Sequence, residues 1–260
     1  MKTFILLSVC LLSILITLSC SSDDGDDKKP EVVITNPDNE NRDFACEEGK
    51  VTRFIEKEGI VVIEVESIAE TGSWNFSTAI EGFSGSGYFI NGTDFLSNPG
   101  NGILTYSITI TNPGTYRFLW RSRITSGNSN TDLNDNWLRI PDAKHFYGKK
   151  NNTIVYPNDT DLLPLPPSPG ETVIPLQGTS KDGWFKIYMN SLNDWRWKSC
   201  TSDNDPHFIY AVFETAGNYT VQISARSKGH AIDKFVLFKE NLNEAQVTSE
   251  TIAISQINCE

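Results

Sequence analysis

The stretch GILTYSITIT, residues 102–111, alternates without a break. Leu104, Tyr106, Ile108 and Ile110 fall on one side, and Thr105, Ser107, Thr109 and Thr111 on the other. A period of two is the spacing of a strand with one face in a core and the other in water. GIVVIEVESIAE (59–70) is β-branched and alternates in the same way. Nowhere do apolar residues recur at i, i+3, i+4 and i+7 over three turns, the pattern a packed helix requires. The chain is therefore expected to be all-β, with its core between sheets.

Two segments resemble each other. YSITITNPGTYRFLWRSR (106–123) and YAVFETAGNYTVQISAR (210–226) share a first Tyr, a Thr five residues on and a turn Gly. A Tyr follows two after the Gly, and an Arg seven after that Tyr. Each reads as an antiparallel hairpin, and two such hairpins predict a single β-sandwich of jelly-roll or Greek-key type. Arg123 and Arg226 then hold matching places at the far ends of matching strands. TDLLPLPPSPGETVIP (160–175) is a loop or an edge. It belongs to a long irregular insertion over residues 142–182, of a length that in loops is often functional.

The first twenty residues follow another logic. MKTFILLSVCLLSILITLSC carries Lys2, an almost unbroken apolar run from Phe4 to Leu18, and then Ser19-Cys20. This reads as a secretory signal. It resembles a bacterial lipoprotein signal, in which the cysteine is lipidated and becomes the new N-terminus, although Thr17 stands where leucine is usual. The acidic tract SSDDGDD (21–27) resembles the export signal of Bacteroidetes-type surface lipoproteins. The expected organisation is a signal peptide over 1–19, an acidic and polar tether over 20–44, and one domain over 45–260. Cys20 would carry the lipid. The protein would face the cell exterior from the outer membrane, touching the membrane through its anchor alone.

The net charge of −11 excludes one class of partner, because a nucleic-acid binder needs a basic face. Of five cysteines, Cys10 lies in the signal and Cys20 is the anchor, which leaves Cys46, Cys200 and Cys259 in an oxidising compartment. One pair and one odd thiol is the simplest count. Cys46 and Cys259 lie near opposite ends of the domain, and in sandwiches the ends often meet. That pair is the expected disulfide, with the other pairings left open.

The three histidines, His145, His207 and His230, fit no HExxH pattern, and the chain has no GxSxG elbow or Walker loop. A pair of glycosidase carboxylates carries no local signature and stays open. The tryptophans are more informative. Trp184, Trp195 and Trp197 stand among polar residues in KDGWFKIYMNSLNDWRWKSC (181–200). In an extended chain Trp195 and Trp197 share a face, with Arg196 opposite. Sugar rings pack their C–H faces on aromatic planes, so an exposed Trp beside Asn, Asp and Arg makes a glycan platform. Burial in the core is the other reading. Glu64 and Glu66 stand two apart on a strand, so both carboxylates share a face. Hard oxygen ligands suit calcium, with Asp233 as a third ligand. Two solvated acids on an exposed face is the alternative.

IVVIEVESIAETGSW, GFSGSGYF, PGTY, NDNWLRIPDA and GHAIDKFVLF occur in this order. Together they resemble the carbohydrate-binding modules of families 6 and 35, over about residues 52–240. The resemblance implies a galactose-binding-like jelly roll and a structural calcium held by Glu64, Glu66 and the last-strand Asp233. Those families often carry Asn two residues before that Asp as a sugar ligand. Here the position is Ala231, preceded by His230, so the ligand does not transfer.

The expected function is glycan binding without catalysis, in a monomer serving polysaccharide utilisation. Tyr88, Arg121, Arg123, Asn136, Trp184, Trp195, Trp197, Arg226 and His230 would contact a poly- or oligosaccharide. Arginines near one edge lean towards an anionic one. A lyase or hydrolase on the same sandwich, using His230, Arg226 and Tyr88, is a second reading. A protein-binding or structural sandwich is a third.

Overall fold

The computed structural model describes residues 46, 47 and 49–260. The expected signal peptide, Cys20 and the tether over 20–44 lie outside the described residues. The strands in chain order are β1 (Thr52–Ile55), β2 (Ile60–Glu64), β3 (Trp74–Ser77), β4 (Tyr88–Asn91), β5 (Leu104–Ile110) and β6 (Gly114–Ile124). Then come β7 (Asp135–Arg139), β8 (His145–Lys150), β9 (Thr153–Val155), β10 (Thr172–Val173), β11 (Ser180–Lys181) and β12 (Trp184–Tyr188). The last are β13 (Arg196–Trp197), β14 (Phe208–Phe213), β15 (Gly217–Ser224), β16 (His230–Lys239) and β17 (Gln256–Cys259). One short helix, α1 (Glu244–Val247), precedes β17. Among the described residues no helix is long and apolar enough to cross a membrane.

The strands form a jelly-roll sandwich of two mixed sheets. The first runs β11-β12-β7-β15-β5-β1-β17. The second runs β10-β9-β8-β14-β6-β16-β4-β3, with β13 added to β6 and β2 to β16. Alternation puts Leu104, Tyr106, Ile108 and Ile110 of β5 against Phe118, Trp120 and Phe235 of the second sheet in one core. Each such side chain contributes about 1.5–3 kcal/mol by leaving water.

The two similar segments are not hairpins. β5 belongs to the first sheet and β6 to the second, and the Pro-Gly turn carries the chain across the sandwich. β14 and β15 divide in the same way. The segments then pair crosswise, β5 antiparallel to β15 and β6 antiparallel to β14. A hairpin and an arch between sheets have the same period of two, so alternation cannot separate them. The shared Tyr plays the same part in both segments. Tyr116 donates to the Asn112 carbonyl at 2.7 Å, and Tyr219 to the Thr215 carbonyl at 2.8 Å. Each ties its strand back to the turn four residues earlier. Arg123 and Arg226 match along the chain, but the arches place them with different sheets.

The insertion over 142–182 is more regular than expected. β8 lies well inside the second sheet, between β9 and β14. The proline-rich segment adds only β10, a two-residue edge strand parallel to β9. Cys46 is bonded to Cys259, and Cys200 is a buried free thiol. The disulfide closes the edge where β1 pairs with β17, so both ends of the domain are fixed together.

Candidate functional site

A cleft of about 580 Å3 opens on the outer face of the second sheet, at its β3–β4 edge. The register aligns Asn75 with Ile90, Ile90 with Ala231, and Ala231 with Arg123. These residues point away from the core, because Trp74, Phe76, Phe89 and Ile232 of the same strands enter it. Ile90 and Leu133 supply apolar lining, and Asn75, Asp94, Ser126 and Lys228 surround it with polar groups.

Two turns build the rim. Asn91 accepts from the Thr93 N–H and donates to the Thr93 carbonyl, which fixes the turn that presents Asp94. Asp94 accepts the Lys228 N–H at 2.7 Å. Gly229 has φ +83°, and a Cβ there would stand 2.6 Å from Ser126 Oγ, so the turn requires glycine. Although Asp94 lines the same cleft, the Lys228 ammonium makes no ion pair among the described residues. Arg123 likewise makes no ion pair there, and its Nε is buried without a partner.

The structure does not gather the other expected ligand residues here. Trp184 lies outside the core on the first sheet, 2% exposed, beneath the Arg139 guanidinium at 4.5 Å. Trp195 and Trp197 do share a face, but that face lies against the second sheet. Trp195 packs edge-on to Tyr88 at 5.0 Å and donates to the Glu81 carbonyl. Trp197 packs beside Leu119 and Val236. The exposed three-tryptophan platform is therefore corrected: β13 lies over β6 and turns its indole towards protein, leaving Arg196 outward. Polar neighbours in sequence do not report this, because they occupy the alternate positions.

The remaining expectations divide between structure and rim. Tyr88 is buried, with its hydroxyl bonded to Ser77 and to the Ile80 N–H. Arg226 is paired with Asp135 at 2.5 Å and covers Trp137. His230 is corrected from rim to interior. It is 0% exposed and meets Trp120 edge-on at 5.6 Å. Asn136, also 0% exposed, accepts the Arg226 N–H with its oxygen and so offers its NH2 to His230 Nδ1 at 2.8 Å. Burial holds His230 down to about 3. Tyr88 and His230 thus point to opposite faces of the second sheet, and Arg226 belongs with the first. The three residues named for a lyase do not converge.

The acids gather under residues 82–87. Glu64 closes β2, but the chain then leaves the strand in a 3-10 turn (Val65–Ser67) that buries Val65 and Glu66. The two acids are therefore not on one strand face, nor solvated, yet their carboxylates reach the same loop. Ser84 Oγ bonds Glu64 Oε2 at 2.9 Å and Asp233 Oδ2 at 3.1 Å. The Ser86 and Gly87 N–H groups donate to Glu66 Oε1. Gly85 has φ +63°, and a Cβ there would stand 2.4 Å from the same oxygen.

Glu66 Oε2 is buried without a partner. Burial, and then Glu64, push Glu66 up to about 8, and burial raises Glu64 to about 6 against the pull of Lys234. An orphaned, desolvated carboxylate oxygen beside a second carboxylate fits a hard cation. Asp233 already has a cation, since Arg121 Nη1 lies 2.6 Å from its Oδ2. Among the described residues no three His, Cys, Asp or Glu side chains form a ready metal cage.

No protein family matches the chain, and no curated protein matches it. Several solved structures are similar to it. The GH26-CBM35 β-(1,4)-mannanase of Podospora anserina shows 13% identity and a TM-score of 0.43, over 72% of this chain and 29% of that one. A native family 35 carbohydrate-binding module from Clostridium thermocellum shows 12% identity and a TM-score of 0.39, over 69% of this chain and 98% of that one. A CBM35 from Cellvibrio japonicus shows 17% identity and a TM-score of 0.36, over 68% and 91%. This chain thus spans less than a third of the mannanase's length.

Proposed function

We propose that the protein is a non-catalytic glycan-binding module that takes its ligand in the cleft beside Asn75, Ile90 and Lys228. The observation that carries this reading is the cleft's mixture of surfaces. Ile90 and Leu133 offer apolar area to the C–H face of a sugar, while Asn75, Asp94 and Lys228 meet its hydroxyls. Lys228 in the cleft, and Arg123 two strands further along the same sheet face, favour a sugar with a carboxylate or sulfate group. Affinity for one unit is modest, because a sugar exchanges hydrogen bonds with water for similar ones with protein. A glycan array followed by incubation with any hit tests this. Binding without chain shortening supports the module, and product release contradicts it. Failure to bind any glycan favours the protein-binding or structural reading.

Calcium is part of the proposal. Glu64 and Glu66 would hold it, with Asp233 adjoining through Ser84, and its charge would satisfy Glu66 Oε2. A melting temperature that falls in chelator supports the ion, because a ligand of the native state alone stabilises that state; an unchanged one contradicts it. We further propose a monomer anchored through lipidated Cys20 to the outer membrane, facing outward. Cys20→Ser then releases it from the membrane fraction.

A further inference from the structure

We infer that the cleft is one of two subsites on a single track, and that the glycan is held as an internal stretch in which an acidic unit adjoins a neutral one. This rests on the glycan reading above. A second cavity of about 380 Å3 opens beside β7 and β12, lined by Thr131, Asn134, Asp135, Lys186, Asn190 and Asn204 among others. Both volumes fall within the roughly 300–1,000 Å3 of small-ligand sites.

The two cavities share a wall. Leu133 lines the first, and Asn134, the next residue, lines the second. Ser126 and Thr131 of the same loop divide in the same way. Behind the loop, Asp135 of the second cavity accepts from Arg226 Nη1 and Ser227 Oγ. Those residues directly precede Lys228 and Gly229 of the first. Residues 126–128 and 130–132 along the crest are exposed, so an extended chain crosses from one cavity to the other over an open ridge.

Their chemistry differs in a way that assigns the units. In the second cavity each carboxylate already has its cation, Asp135 with Arg226 and Asp203 with Lys186, both at 2.5 Å. The groups left over are the Asn190 and Asn204 amides, which suit uncharged hydroxyls, while the Thr131 hydroxyl is shared with Ser129 at 2.8 Å. The first cavity keeps the unpaired Lys228 ammonium, and its one carboxylate, Asp94, is turned to the Lys228 N–H of the rim. An acidic sugar belongs in the first and a neutral sugar in the second.

The test is calorimetric titration of the full-length protein with D-glucuronate, with linear oligosaccharides in which glucuronate alternates with a neutral sugar, and with all-acidic polygalacturonate fragments, which should show no such gain. Affinity is expected to rise by about tenfold or more once an alternating fragment is long enough to reach the second cavity. Asn190→Trp, at an exposed residue, fills that cavity. It should remove the length gain and leave monosaccharide binding as in the unaltered protein; Asn190→Ala should remove part of it. Equal affinity for monosaccharides and all fragments overturns the track while leaving glycan binding in place. Loss of monosaccharide binding in Asn190→Trp at an unchanged melting temperature also overturns it, because the cavities then act as one site. No binding of any probe by the unaltered protein overturns the glycan reading and the track together.

Discussion

Arg121 donates from Nη1 to Asp233 Oδ2 at 2.6 Å, and its Nη2 donates to the Gly82 carbonyl at 2.8 Å. One buried guanidinium thus joins β6, β16 and the loop over the acids. Its neighbour on the same strand face, Arg123, makes no ion pair among the described residues. These two arginines separate stability from binding.

Removing one partner of a buried ion pair leaves the other charge uncompensated, at a cost of about 3–5 kcal/mol. Arg121→Met should lower the unfolding free energy by about that amount in urea titrations, and Arg121→Met with Asp233→Leu should recover much of it. Arg123→Met, which breaks no ion pair and keeps most of the half-buried side chain, should cost far less stability than Arg121→Met and weaken acidic-glycan binding.

Glu56 is 2% exposed and joins the β1–β2 turn to the β5–β6 turn. Burial alone would raise its carboxyl, but bonds from Thr111, Gly59 and Asn112 hold it below its usual 4.5. A depressed folded value stabilises above the unfolded value and is lost as pH falls through the folded one. Denaturation midpoints should therefore drop as pH falls below about 4.5, and Glu56→Gln should flatten that drop. The same variant costs about 1–3 kcal/mol near neutrality, because an NH2 then faces donors.

His230 should not titrate between about pH 5 and about pH 8. Its folded value lies below the unfolded one, so its contribution is present above 6.5 and declines as pH falls from there towards about 3. NMR shifts of its ring protons should stay constant across the neutral range, and glycan affinity should show no inflection near 6.5. A midpoint assigned to His230 near its ordinary value of 6.5 would falsify its interior placement.

Lys228→Ala should weaken binding of an acidic oligosaccharide by about tenfold, the loss of one charge-assisted bond. Binding of a neutral one should change little. Added salt should erase most of the difference, since an exposed ammonium is screened within about 8–10 Å. Calorimetry at low and high ionic strength reads both effects.

The sandwich was legible because alternation is local. Leu104, Tyr106, Ile108 and Ile110 all enter the core their spacing assigns. The crossing of β5 into β6 was not, because the partner of a strand is decided by residues about a hundred positions away. Trp184, Trp195 and Trp197 misled for a related reason. An indole that covers the outside of a sheet has polar neighbours on its own strand, as a ligand platform does. The cleft escaped notice because two turns make it, around Asp94 and Lys228-Gly229, and turn residues carry no sign of what they face across space. GHAIDKFVLF nonetheless marked the strand on which both the acid cluster and the cleft rest.

The most direct measurement is a titration of 15N-labelled protein with an acidic glucuronoxylan oligosaccharide, followed by amide shifts. The account predicts saturable changes centred on the Asn75 and Asn91 side-chain amides and the Asp94, Lys228 and Gly229 backbone. Changes confined to other surfaces, or none at saturating ligand, would contradict it.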